Sequence, residues 1–134
     1  LEKNQLYEGM QELTTQGHAV LCALAYHQAL DDIPVRSRDL YERYVKICDR
    51  LDTDSVSERR VRDHLSDMNM LGLISVYERN EGLSAGRDHE YELDVPLKAV
   101  LEVLLSTTRF EELANIIEST ADDNNLLQSD ISDY

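Results

Sequence analysis

The 134 residues amount to one domain, long enough for a hydrophobic core and too short for a core plus a large enzyme scaffold. Carboxylates outnumber cations 27 to 13, giving a formal net charge of −14, and the absence of Trp and the single Phe suit a small aliphatic core of Leu, Val and Ile. No run of ~18 apolar residues occurs and no export signal stands at the start, which argues against a membrane span and for a cytoplasmic location.

In chain order, Leu6, Met10 and Leu13 recur at helical spacing and predict a short amphipathic helix over residues 1–13. The first residue is Leu1 and not Met, so the expectation is a piece of a longer protein, with this helix as the connector from an upstream module. Thr14 and Thr15 can cap a second helix over residues 15–30, whose Ala19, Val20, Leu21, Ala23, Leu24 and Ala25 mark it as the core helix. Pro34 removes a donor and forces its predecessor to be extended, so a short strand or link follows. Ser37 is the expected N-cap of a helix over residues 38–51, with Asp39 near its positive end. In that helix Leu40, Tyr44, Ile47, Cys48 and Leu51 point inward, and Arg36, Arg38, Arg43, Lys46 and Arg50 take the opposite face.

Residues 52–55 read as a polar turn, and Ser57 as the cap of a helix over about residues 57–71. At about 100° per residue, Leu65 and Met68 lie within about 40° of Val61, whereas Arg59, Arg62, Asp63 and Ser66 lie about 100–160° away. One face belongs to a core and the other is polar and free. Gly72 is the expected C-terminal glycine. Residues 73–79 and 90–95 alternate as strands do, predicting a β-hairpin with a loop of roughly ten residues bounded by Gly82 and Gly86. Pro96 opens a helix through Leu105, and Phe110 to Ile117 makes a second short one. From about Ser119 the composition turns to Asp, Asn and Ser, expected to be disordered without a partner.

This order predicts a mainly α fold with a small β-hairpin, the winged-helix version of the helix-turn-helix. In that fold the second helix of the pair enters the DNA major groove and the hairpin loop reaches an adjacent groove or the backbone. The expected organisation is a connector over residues 1–13, the winged helix over 14–107, and a short helix with an acidic tail over 108–134. Charge distribution agrees with DNA binding: residues 36–62 carry eight cations and six carboxylates, and all other residues five and 21. A guanidinium can donate two parallel hydrogen bonds to a guanine, or clamp phosphate. The candidate DNA-binding residues are therefore Arg36, Arg38, Ser57, Arg59, Arg60, Arg62, Asp63 and Ser66, with Arg79 and Arg87 in a wing over about residues 79–90. Arg60 lies toward the flank and suits phosphate better than a base, although an ion pair with Asp63 or His64 would also account for it. Cys22 and Cys48 sit in apolar patterns as buried hydrophobes, and the four His lack metal-ligand spacing, so no metal site is expected.

Three stretches carry a resemblance: VRSRDLYERY (residues 35–44), SERRVRDHLSDMNMLGLI (57–74) and GRDHEYEL (86–93). They resemble the C-terminal winged-helix domain of archaeal cell division control protein 6 and origin recognition complex subunit 1 initiators, in their halophilic branch, over roughly residues 14–107. The Lys-poor, acidic composition, with 10 Arg and 3 Lys, resembles that of proteins from salt-loving organisms, although an ordinary acidic surface would look the same. The resemblance implies a replication initiator that marks double-stranded origin repeats, helps load the MCM helicase, and is cytoplasmic, nucleoid-associated and monomeric as an isolated domain. It also implies an AAA+ ATPase module upstream. ATP and Mg belong to that module and no cofactor to this chain, which contains no GxxxxGK[ST] motif and is not itself expected to be an enzyme. By position, Ser57, Arg59, Arg60, Arg62 and Arg87 would contact DNA, but Gly82-Leu83-Ser84-Ala85-Gly86 is less basic than a family wing would be. In about 1 M salt the screening length is ~3 Å, so binding would lean on base contacts and shape more than on bulk charge. Two other readings fit the same elements: a transcription regulator dimerising through its last helices, and a protein-interaction module using the loop and tail.

Overall fold

The computed structural model describes residues 3–80 and 87–124. Among these the order is α1 Lys3–Gln11, α2 Thr15–Ala29, β1 Val35–Arg36, α3 Ser37–Leu51, α4 Glu58–Met70, β2 Ile74–Asn80, β3 Arg87–Leu93, α5 Leu97–Leu105 and α6 Glu111–Asp123. This is a winged helix, mostly helical with a small antiparallel sheet of order β1-β3-β2.

The core is organised around α2. Thr14 caps it by accepting from the Gly17 N–H, and every residue from Ala19 to Ala25 is fully buried. A helix that is apolar all round must be covered on all sides. Here α3, α5, α6 and β3 supply the cover. Met10 of α1 is fully buried as well, and Tyr7 donates to Glu102 Oε1 on α5 at 2.6 Å, tying the first helix to the fifth. Cys22 and Cys48 are buried free thiols, and burial pushes the Cys22 thiol up to about 12. Among the described residues no helix is long and apolar enough to cross a membrane, and no His, Cys, Asp or Glu cluster could hold a metal ion.

The strands pair in register Val35↔Tyr91 and Val76↔Tyr91, with Ile74↔Leu93 at the base of the hairpin. The period of two puts Val35, Ile74, Tyr91 and Leu93 into the core. The hairpin ladder continues to Asn80↔Arg87, so the strands are longer than the alternation suggests and the loop is shorter than ten residues. Backbone pairing persists where side-chain alternation has already faded.

Several element ends differ from the sequence reading. Arg36 and not Ser37 occupies the N-cap of α3, without a side-chain cap, because Ser37 already has helical backbone. Pro96 is the N-cap of α5 and not its first helical residue. Helix α6 passes Ser119 and runs to Asp123, since Ile117 and Ala121 are buried and carry the apolar stripe onward. Asn124 Nδ2 then donates to Ala29 O at 3.1 Å. Residues 125–134, the remainder of the expected tail, lie outside the described residues.

The turn between α3 and α4 sets the angle of the helix pair. Asp52 takes φ 56°, and Thr53 N donates to Cys48 O and Asp52 N to Asp49 O, closing α3 with a Schellman pattern on Asp instead of Gly. Three side chains then hold the turn. Tyr44 donates to Gln16 Oε1 and accepts from Val56 N at 2.8 Å, Tyr41 donates to Val56 O at 2.8 Å, and Gln16 Nε2 donates to Asp54 O at 2.9 Å.

Candidate nucleic-acid interface

Helix α4 begins where Ser57 Oγ accepts from Arg60 N at 3.2 Å. It ends in a second Schellman pattern, with Gly72 at φ 83°, Gly72 N donating to Asn69 O and Leu73 N to Met68 O. Val61, Leu65 and Met68 are at most 2% exposed and lock one face into the core. The opposite face is held outward: Arg59, Arg62, Asp63 and Ser66 are all exposed. This face needs no fold-level explanation, because none of its side chains contributes to the core.

Within it the cations differ. Arg62 Nη1 lies 3.6 Å from Glu58 Oε2, one turn back, with the two side chains 46% and 42% exposed, a pair that water screens and that is easily given up. Arg59 and Arg60 are exposed and make no ion pair among the described residues, so the pairing of Arg60 with Asp63 or His64 is absent. Arg38 is exposed in the first turn of α3. Arg36 sits on the edge strand β1, its Nε 3.9 Å from Glu90 Oε2 on β3. Arg79 and Arg87 belong to the backbone ladder of the hairpin, but their side chains and the intervening residues 81–86 lie outside the described residues.

The structure brings Arg62 and Ser66 together with the hairpin. A cleft of about 310 Å³ runs between α4 and the sheet, lined by Arg62, Ser66, Asn69, Val76, His89 and Tyr91. His89 Nε2 is 3.7 Å from Glu78 Oε2 on the paired strand. Asn69, His89 and Met70, which is 84% exposed, are additions to the residues expected from sequence. Periodicity could have found two of them. Asn69 completes the stripe Arg62, Ser66, Asn69 at i, i+4 and i+7, and Met70 completes Arg59, Asp63, Ser66, Met70. Placing His89 required the hairpin register.

The structure separates other residues that the sequence reading grouped. Tyr41 faces the α3–α4 turn, and Arg43, Lys46 and Arg50 stand about 160°, 140° and 180° from it around α3. Those three cations line a groove against α2 and α6 instead of joining α4. The cationic excess of residues 36–62 is therefore divided between two surfaces. The physical reason is that flank positions of a helix belong to whichever element packs beside them.

Comparison with known proteins follows the same elements. The family model described as CDC6, C terminal winged helix domain, matches residues 8–103. The chain is 41% identical over 120 residues to ORC1-type DNA replication protein 15 of Haloarcula marismortui, covering 87% of this chain and 29% of that protein. It is 36% identical over 129 residues to ORC1-type DNA replication protein 10 of Halobacterium salinarum, covering 95% and 31%. The solved structure of the Aeropyrum pernix ORC1 protein in complex with DNA superimposes with a TM-score of 0.74 at 26% identity, over 84% of this chain and 29% of that one. The chain thus spans less than a third of the length of the curated relatives it matches.

Proposed function

The chain belongs to the Cdc6 C-terminal winged-helix domain family, the winged helix and not the ATPase module of a replication initiator, and on that footing we propose that it reads double-stranded DNA at replication-origin repeats. Helix α4 enters the major groove with Arg59, Asp63 and Ser66 toward base edges. Arg62, released from Glu58, reaches a base or a phosphate, and Arg60, Arg36, Arg38 and Ser57 contact the backbone. The hairpin, with Arg79 and Arg87, follows an adjacent groove. The observation that carries this reading is the outward face of α4, which holds unpaired Arg59, with unpaired Arg60 on its flank, in a chain of net charge −14 while its inner face is buried. The DNA complex of the similar ORC1 protein supports it.

The whole protein's properties belong to the same proposal: an upstream AAA+ module holding ATP and Mg, assistance in loading the MCM helicase, a monomeric isolated domain and a nucleoid-associated, cytoplasmic location. The names of the relatives, of which this chain matches under a third, support it. The test is a titration of the chain against origin-repeat and scrambled duplexes at high salt. Tighter binding to the repeat is expected, with Arg59→Ala costing about 1–3 kcal/mol and narrowing the difference between the duplexes. Equal affinity for both duplexes would refute origin reading.

A further inference from the structure

The cations that α3 turns away from α4 frame a second surface. Between α2, α3 and α6 lies a cavity of about 210 Å³, with Ile47, Leu113 and Ile117 in its floor and Arg43, Lys46 and Arg50 around its rim. The Arg43 guanidinium lies 4.4 Å from the centre of the Tyr26 ring, and its Nε is buried with no hydrogen-bond partner. Arg50 reaches Glu112 on α6 at 3.6 Å, but both side chains are more than half exposed and the pair is weak. Lys46 is exposed, and neither it nor Arg43 makes an ion pair among the described residues.

This arrangement goes against the rest of the molecule. Carboxylates outnumber cations about two to one in the chain, so a cation placed without purpose would usually find one nearby. Two unpaired cations beside an apolar hollow are instead complementary to a ligand that is both acidic and aliphatic. DNA fits poorly, because an apolar floor gains nothing from phosphate and the groove lies on the flank of α3 opposite the α4 turn.

We propose that this groove docks an acidic peptide segment of a partner protein. Its aliphatic side chains fill the hollow over Ile47, Leu113 and Ile117, and its carboxylates pair with Lys46, Arg50 and the Arg43 guanidinium. Such charge-assisted bonds are the strong class when a dry floor lies beside them. Because the groove and the outward face of α4 occupy different flanks, the peptide and a DNA duplex can be held at once.

The test uses the full 134-residue chain and a short fluorescein-labelled peptide of Asp, Glu and Leu, with its leucines at helical spacing. Companion peptides carry Lys for the acids or Ser for the leucines. The acidic leucine peptide should bind and both companions should fail. Lys46→Glu should weaken binding about tenfold or more, ~1.4 kcal/mol. Lys46 is exposed, so the variant keeps its fold, checked by circular dichroism, and its duplex affinity should not change. If the duplex affinity is absent in every variant, origin reading fails while the groove still stands on the peptide result. Equal peptide binding by the Lys46→Glu variant overturns the proposal, as does equal binding of the serine companion. Displacement of the peptide by duplex would make the groove a phosphate surface, and carbodiimide coupling of Lys46 to this chain's own residues 125–134 in place of the peptide would make it an internal site; either overturns the partner reading.

Discussion

Removing the Tyr44 hydroxyl tests the claim that one buried hydrogen-bond node aims the helix pair. Tyr44 is fully buried, donates to Gln16 Oε1 and accepts from Val56 N, so Tyr44→Phe leaves both partners without this oxygen. Gln16 is only half-buried and can turn its amide to solvent, so most of the cost falls on the Val56 N–H. A net hydrogen bond contributes about 1 kcal/mol, and a stranded buried donor costs about 1–3 kcal/mol, so the substitution should destabilise by about 2 kcal/mol. With a urea dependence of about 1.5 kcal/mol per M for a chain this small, the unfolding midpoint should fall by about 1.3 M at unchanged slope. Tyr41→Phe is the control, because Tyr41 is only half-buried and its hydroxyl makes a single bond, to Val56 O, where that of Tyr44 makes two, and it should cost well under half as much. A Tyr44→Phe midpoint within about 0.3 M of the parent would refute the reasoning, since it would mean that the turn keeps its geometry without the hydroxyl.

Burial holds the His18 imidazole below its usual 6.5, against the opposing effect of its Nε2–H donating to Met10 O at 2.8 Å. The folded state therefore resists protonation more than the unfolded chain does: stability is fully present above pH 6.5 and is lost as pH falls from there toward the folded value, by at most about 1.4 kcal/mol per pH unit. Urea midpoints at neutral and mildly acid pH should show this slope in the parent and lose it in His18→Gln; an unchanged slope would assign the acid sensitivity to other groups. Leu65→Ala hollows the core beneath α4 at a residue 1% exposed and should cost about 2–5 kcal/mol by chemical denaturation, weakening duplex binding only in proportion to the unfolded fraction if the face itself is intact. Gly72→Ala should cost about 1 kcal/mol through its φ of 83° alone, because a Cβ there would meet nothing closer than Leu6 Cδ2 at 4.0 Å; a cost several times larger in thermal or urea unfolding would point to steric crowding instead.

Periodicity and capping chemistry, both local, determined much of this protein from the sequence by itself. Val61, Leu65 and Met68 at helical spacing were enough to separate the buried face of α4 from the face with Arg59, Asp63 and Ser66, and Ser57 and Gly72 marked its ends because both act through their own turn of backbone. Tertiary structure decided what lies beside each face. That α2 is covered on every side, that β1 joins the hairpin as a third strand through Val35↔Tyr91, and that His89 faces Arg62 and Ser66 across a cleft all depend on residues far apart in the chain. The same holds for α3 and the strand before it, where cations spread along the sequence gave no hint that Arg43, Lys46 and Arg50 border α6 while Arg36 of β1 stands against Glu90 of the sheet. A helical repeat encodes the angle at which a side chain leaves its own axis, and only packing determines what it meets there.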